Sequence, residues 1–303
     1  MKWFRNFANG FNGWRGGKWA RYLVSGLIVG LLVAVLIEIG LAWGYIWYLM
    51  HPDCPDEKPA IQAPAIEIWL QTSEGAQLRA WYSPTQNGAV IITLGGLEGA
   101  LGERQPPVRF LSERGFGVLQ IDSRACAMPP LPVTLGAREA EDVAAALDYL
   151  QGQRGVEWIG VFGYSMGGAG AIRAAAKYPE IAAVVAEGGY FNLGDDIVET
   201  DGEPFWRRIF LYAIAGSFWL QSGENPWGIS PIDDLPAINP RPVLLIYGEQ
   251  EAASGRAEAQ YSAALEPRYL WIVPGGDHGR NYQQEPREFE QRVLHFFEEA
   301  LLK

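Results

Sequence analysis

The sequence predicts an α/β domain built on a mostly parallel sheet and preceded by one membrane-spanning helix. Three observations carry this reading. Apolar β-type runs alternate with helical periodicities from residue 66 onward, which implies a parallel sheet covered on both faces. The pentapeptide Gly163-Tyr164-Ser165-Met166-Gly167 follows one such run, Trp158 to Phe162, and precedes a small-residue helix pattern from Gly168 to Lys177. Leu23 to Leu49 is a near-continuous apolar stretch with a single charge, Glu38.

The apolar stretch places a transmembrane helix at 23–50, between a basic N-terminus at 1–22 and a linker at 51–64. A helix of this length reaches about 40 Å, beyond the ~30 Å hydrocarbon core, so tilt is expected. A signal-peptide core would be only ~7–15 residues long. Tyr22, Trp43, Tyr45, Trp47 and Tyr48 lie toward its ends, as interfacial aromatics do. Lys2, Arg5, Arg15, Lys18 and Arg21 precede it with no acidic residue among them, whereas Asp53, Asp56 and Glu57 follow against Lys58. The positive-inside tendency therefore puts the N-terminus in the cytoplasm and the rest of the chain outside. Glu38 is costly at mid-bilayer and reads as protonated or in contact with a neighbouring helix. Pro52 to Pro64 contains four prolines, the composition of a semi-rigid linker.

The domain occupies 65–303. Residues 66–70 and 77–82 alternate as an antiparallel hairpin joined at Ser73-Glu74-Gly75. Ala89 to Leu94 is fully apolar, as a central parallel strand is, and a glycine-rich turn follows, Gly95 to Gly99. A short helix at 108–114, a strand at 117–122 and a helix over 134–152 come next. Strands at 181–186, 242–247 and 269–273 and a terminal amphipathic helix at 285–302 complete the alternation. One insertion, about 192–241, is far longer than the ~2–6 residues of ordinary connections. It carries Phe205-Trp206-Arg207-Arg208-Ile209-Phe210-Leu211-Tyr212 and reads as a helical lid.

The net charge of −11 argues against a nucleic-acid partner, since phosphate binding needs clustered Lys and Arg. No CxxC or Cys/His cluster occurs, so no metal is expected. The only cysteines, Cys54 and Cys126, could pair in an oxidising compartment or stay as free thiols; Cys126 itself reads as a small buried hydrophobe.

A serine at a strand-to-helix turn is held in a strained conformation with its hydroxyl lifted above the sheet. To act as a nucleophile it needs a base, an acid to orient that base, and donors for an oxyanion. Of three histidines, His51 adjoins the apolar span and His295 lies mid-helix. His278 sits in Gly275-Gly276-Asp277-His278-Gly279, directly after the last strand, where ligands gather in open α/β sheets. The acid falls between Ser165 and His278 in chain order: Glu251 is the first choice and Glu249 the second, with Glu187 and Asp195 behind them and Asp277 disfavoured as the histidine's neighbour. Oxyanion donors are expected from the amide of Met166 and from the turn after Leu94, at Leu97 or Gly96.

These residues resemble the α/β-hydrolase family, in particular its single-span, membrane-anchored branch that includes Bem46-like and ABHD-type serine hydrolases. The resemblance runs from about Ile66 to Leu302. Its most specific stretches are Leu78 to Pro84, Thr134-Leu135-Gly136 leading into Glu139 to Val143, the serine turn, and Asn239 to Ile246. It implies an eight-stranded, mostly parallel sheet and hydrolysis of esters or related acyl compounds through an acyl-serine, with no cofactor. Three segments depart from the family pattern: Gly95-Gly96 stands where His-Gly is frequent, Asp122-Ser123-Arg124-Ala125-Cys126-Ala127 lacks two glycines, and Gly248-Glu249-Gln250-Glu251 offers Glu in place of Asp. The aromatic insertion and the membrane tether point to an apolar or lipid-like acyl substrate. The same array would serve a peptidase or amidase, and a non-catalytic membrane-tethered binding protein is the rival of another class.

Overall fold

The computed structural model of the chain describes residues 18–54, 65–97, 108–199 and 202–303. Most of the basic N-terminal segment, linker residues 55–64, and Glu98 and Gly99 of the glycine-rich turn lie outside the described residues.

The elements in chain order are helix α1 (Lys18–Met50), strands β1 (Ile66–Gln71), β2 (Gln77–Ser83) and β3 (Ala89–Leu94), helix α2 (Arg109–Glu113), strand β4 (Gly117–Ile121), helix α3 (Glu139–Gln151), strand β5 (Trp158–Tyr164), helix α4 (Met166–Lys177) and strand β6 (Ile181–Glu187). The insertion holds α5 (Leu193–Ile197), α6 (Phe205–Ser222) and α7 (Pro231–Asp234); then come β7 (Val243–Gly248), α8 (Glu249–Ala252), α9 (Arg256–Ala263), β8 (Arg268–Val273), α10 (Asn281–Gln284) and α11 (Pro286–Leu301). The eight strands form one sheet in the order β1-β2-β4-β3-β5-β6-β7-β8. β2 runs antiparallel to both its neighbours, and the other pairs are parallel.

Side-chain alternation along the strands splits the core in two. Val90, Ile92, Leu119, Val161, Val184 and Leu245 face α3 and α4, where Val143, Leu147, Leu150 and Ile172 close one layer. Ile91, Val118, Phe162, Val185, Leu244 and Ile246 face α11, whose Phe289, Val293, Phe296, Phe297 and Leu301 close the other. Because β3 and β5 to β8 are parallel, the loops leaving them emerge at the same edge. That edge receives the serine turn, the acid and the histidine.

The expected helix over 134–152 begins only at Glu139. Leu135 has φ 51° and Gly136 φ 93°, which breaks helical winding there. The Glu139 carboxylate compensates by accepting the Thr134 N–H and hydroxyl and the Gly136 N–H. The departing segment after β4 has a structural role: Arg124, 1% exposed, pairs with Asp142 at 2.7 Å and with Glu74 in the β1–β2 turn. Arg138 joins Glu74 to Glu224, just past α6.

Helix α1 extends the expected span toward the N-terminus, to Lys18. None of its most apolar stretch is buried by the other described residues, which separates it from a core helix. Its last turns differ. Ala42, Ile46 and Met50, spaced by four, are buried with Ile214 and Phe218 of α6 and with Ala137, Leu193 and Ile229. Glu38, one turn earlier on that face, is partly covered. The Gln221 amide donates to the Trp43 carbonyl at 3.1 Å, and the Val133 N–H donates to the Met50 carbonyl at 2.8 Å. Cys54 and Cys126 form a disulfide. Cys126 is buried, as a small hydrophobe would be, but as half of a covalent link between the end of α1 and the domain.

Candidate active site

Ser165 sits between β5 and α4 with φ 54° and ψ −119°, a conformation that costs a non-glycine residue about 1–3 kcal/mol and persists only when its surroundings enforce it. The surroundings are backbone. The Ser165 N–H donates to the Glu187 carbonyl at 2.7 Å. A Cβ on Gly163 would overlap the Gly167 carbonyl, and one on Gly167 would overlap the Leu94 carbonyl. Only glycine permits this crossing of β3, β5 and α4.

His278 follows β8 in the loop toward α10. Its Nε2 lies 3.0 Å from Ser165 Oγ, and its Nδ1 lies 2.8 Å from Glu251 Oε1. The other Glu251 oxygen accepts the Gly248 N–H at 2.9 Å, so the carboxylate is held at one oxygen by the amide that starts α8 and at the other by the imidazole. Gly188, at φ 59°, leaves the room they occupy: a Cβ there would stand 3.2 Å from His278 Nδ1 and 3.3 Å from Glu251 Oε1. The Tyr164 ring stacks against the imidazole, centroids 6.0 Å apart. With Nδ1–H donating to Glu251, Nε2 is the acceptor that can take the serine proton.

The other sequence candidates lie elsewhere. The Glu249 carboxylate accepts the Gly275 N–H at 2.8 Å, bracing the histidine loop without touching the ring. Asp277 accepts the His278 N–H, and Asp195 lies in α5, whose first turn Asn192 caps. His51 bonds the Trp47 carbonyl and stacks on its ring; His295 is exposed on α11. Met166 opens α4, so its amide belongs to the unpaired donors of a helix start. Leu97 ends the described part of the turn after β3, next to Gly96, which packs on Tyr164 and Ser165.

Comparison with known proteins bears on the fold that carries this array. A family model described as alpha/beta hydrolase fold matches residues 89–215. The esterase Pf2001 of Pyrococcus furiosus superposes with a TM-score of 0.64 at 23% identity, over 82% of this chain and 98% of that one. The chain has the α/β-hydrolase fold. The Escherichia coli O157:H7 protein YfhR is 26% identical over 265 residues, 82% of this chain and 86% of its own. The Arabidopsis thaliana alpha/beta hydrolase domain-containing protein WAV2 is 30% identical over 206 residues, 61% of each chain.

In this α/β-hydrolase fold a cleft of about 390 Å³ opens over Ser165 and His278, lined also by Tyr190, Phe191, Tyr247, Gln250, Ser254 and Arg256. Arg256 is tied to Asp196 and Glu199. A larger open groove, about 610 Å³, lies by Arg268 to Trp271 at the opposite end of β8 and contains neither Ser165 nor His278.

Glu187, weighed from sequence as an acid, ends β6 fully buried beside the buried Asn281 of α10. Burial pushes its carboxyl up from 4.5 to about 8; the Asn281 amide opposes this and the Glu251 carboxylate adds to it. It stands in the core beneath the histidine loop, and its side chain is not the one that meets the imidazole. A carboxyl whose value is raised by folding stabilises the native state below its unfolded value and loses that contribution as pH rises through the folded one. Stability should therefore fall by up to about 1.4 kcal/mol per pH unit between roughly pH 4.5 and 8 from this group. Melting of Glu187→Gln across that range should show a visibly flatter dependence; a variant as pH-sensitive as the parent would remove Glu187 from this role.

Proposed function

We propose that the chain is a membrane-anchored serine hydrolase that cleaves carboxylic esters or related acyl compounds through an acyl-serine intermediate. The observation that carries this reading is the continuous hydrogen-bonded series from Ser165 Oγ through His278 to Glu251, 3.0 and 2.8 Å long, at the strained turn between β5 and α4. Ser165 attacks the acyl carbonyl as His278 takes its proton, and Glu251 stabilises the imidazolium. The amides of Met166 and Leu97 hold the oxyanion. The protonated His278 then gives its proton to the leaving alcohol. Water attacks the acyl-serine with His278 again as base, and Ser165 departs as the free hydroxyl. These steps are carried by side chains and amides alone.

Helix α1 is the anchor, spanning 23–50 with the N-terminus cytoplasmic and the domain extracytoplasmic. Its uncovered apolar surface and the basic residues before it support this topology, and the Cys54–Cys126 disulfide suits an oxidising compartment. The insertion stands as the lid, with Asp196 its one described residue in the cleft lining and α6 packed on α1; the aromatics at the cleft itself, Tyr190, Phe191 and Tyr247, favour an apolar, lipid-like acyl group.

One labelling experiment tests both parts. A membrane-impermeant fluorophosphonate applied to cells whose cytoplasmic membrane is intact should modify Ser165, as identified by peptide mass. Labelling that requires lysis would reverse the topology, and a folded protein that resists labelling even after lysis would end the hydrolase reading.

A further inference from the structure

A helix needs about 20 residues to cross the ~30 Å hydrocarbon core. Counting from Arg21, the last basic residue before the span, that length ends near Trp43. Up to there the side chains of α1 are largely uncovered, Leu23 at 69% and Leu41 at 59%. Trp43 and Tyr45 then supply the exposed aromatics that mark the membrane–water boundary.

The far end of α6 is fixed at this level. The Gln221 side chain donates to the Trp43 carbonyl, so the last turn of α6 and Trp43 share one depth. The two residues before it, Trp219 and Leu220, are uncharged and 50% and 77% exposed. A solitary exposed leucine is ordinary on a soluble surface. Here the pair directly precedes the residue bonded to Trp43, itself exposed on α1, and Phe218 just before them is buried in the cluster shared with α1. An exposed apolar pair beside a spanning helix has one natural solvent, the bilayer interface.

We propose that Trp219 and Leu220 form a second membrane contact, inserted at the headgroup–acyl boundary of the leaflet that α1 leaves on the domain side. The proposal rests on α1 being the anchor. The contact joins the insertion to the membrane on the side where Tyr190 links the α1–α6 cluster to the cleft over Ser165. It thereby presents that cleft to acyl chains of the same leaflet.

The test uses the full chain in phosphatidylcholine vesicles. Cys54 and Cys126 are paired, so an introduced cysteine is the single thiol available to an environment-sensitive fluorophore. Leu220→Cys and Trp219→Cys report the contact, Val33→Cys reports the span, and Gln291→Cys on α11 reports water. Expected are blue-shifted emission at 219 and 220 and quenching by shallow spin-labelled lipid severalfold above that at 291, with 33 quenched by deep label. Quenching at 33 with 219 and 220 behaving like 291 overturns the contact and leaves the anchor standing. Blue-shifted probes at 219 and 220 that no lipid quencher reaches mean that protein covers them, which also overturns it. No quenching at 33 removes the anchor and the contact together.

Discussion

Ser165→Ala is expected to lower turnover of a short p-nitrophenyl ester by roughly a thousandfold to a millionfold while leaving the far-ultraviolet spectrum and melting temperature close to the parent's. The hydroxyl is half-exposed in the cleft and bonds only His278 among the described side chains, so its loss removes chemistry without removing packing. His278→Ala should fall into the same range, and the double variant should be little worse than either single one. Residues that act as one unit are grossly non-additive, because the second deletion takes away a function already lost. Multiplicative losses in the double variant would show two independent contributions and contradict a proton passed directly between these atoms. Turnover that survives Ser165→Ala would place hydrolysis at another group.

The second large effect concerns the acid. Glu251→Gln should reduce kcat by about a hundredfold to ten-thousandfold, whereas Glu249→Gln should stay within a few-fold of the parent. The reason is tautomeric. Glu251 Oε1 accepts from His278 Nδ1 while Oε2 accepts the Gly248 N–H. A glutamine must keep its carbonyl toward Gly248, so it turns its NH2 toward the ring. The imidazole then carries its proton on Nε2, where it blocks uptake from Ser165. Glu249 instead accepts from Gly275, and an amide oxygen serves there nearly as well. A pair of assays in which Glu249→Gln is the damaging change would reassign the acid.

Much of this was legible in the residues. The strand, turn and helix around Ser165 are local events, and their small residues declare the backbone crossing that the structure contains. His278 was legible by elimination and by its place after the last strand. The choice between Glu249 and Glu251 was harder, because both follow β7 within one helical turn and differ by two positions. A signal was present: Glu251 stands three residues after Gly248, the spacing at which a carboxylate folds back onto the amide at a helix start. That backward turn is what aims it at the histidine loop. Gly188 gave no signal, since the side chains it makes room for come from the ends of two other strands. The late start of α3 is a similar case. Ala140, Val143 and Leu147 repeat correctly, but Leu135 at positive φ is imposed by the Glu139 carboxylate and by the Tyr190 hydroxyl on the Leu135 carbonyl. The pairing of Cys54 with Cys126 stayed open because 72 positions separate them, and the burial of Ala42, Ile46 and Met50 depends on a partner helix some 170 residues away.

The covalent and apolar weld at the end of α1 has a mechanical outcome. A bridge at Cys54, a main-chain bond at Met50 and a packed face from Ala42 onward leave no swivel between mast and hull. With α1 as the proposed anchor, such a domain would drift laterally with its helix and neither nod nor reach outward. On the proposed membrane reading, the cleft over Ser165 is carried at one fixed height, and only acyl groups presented at that height would enter it.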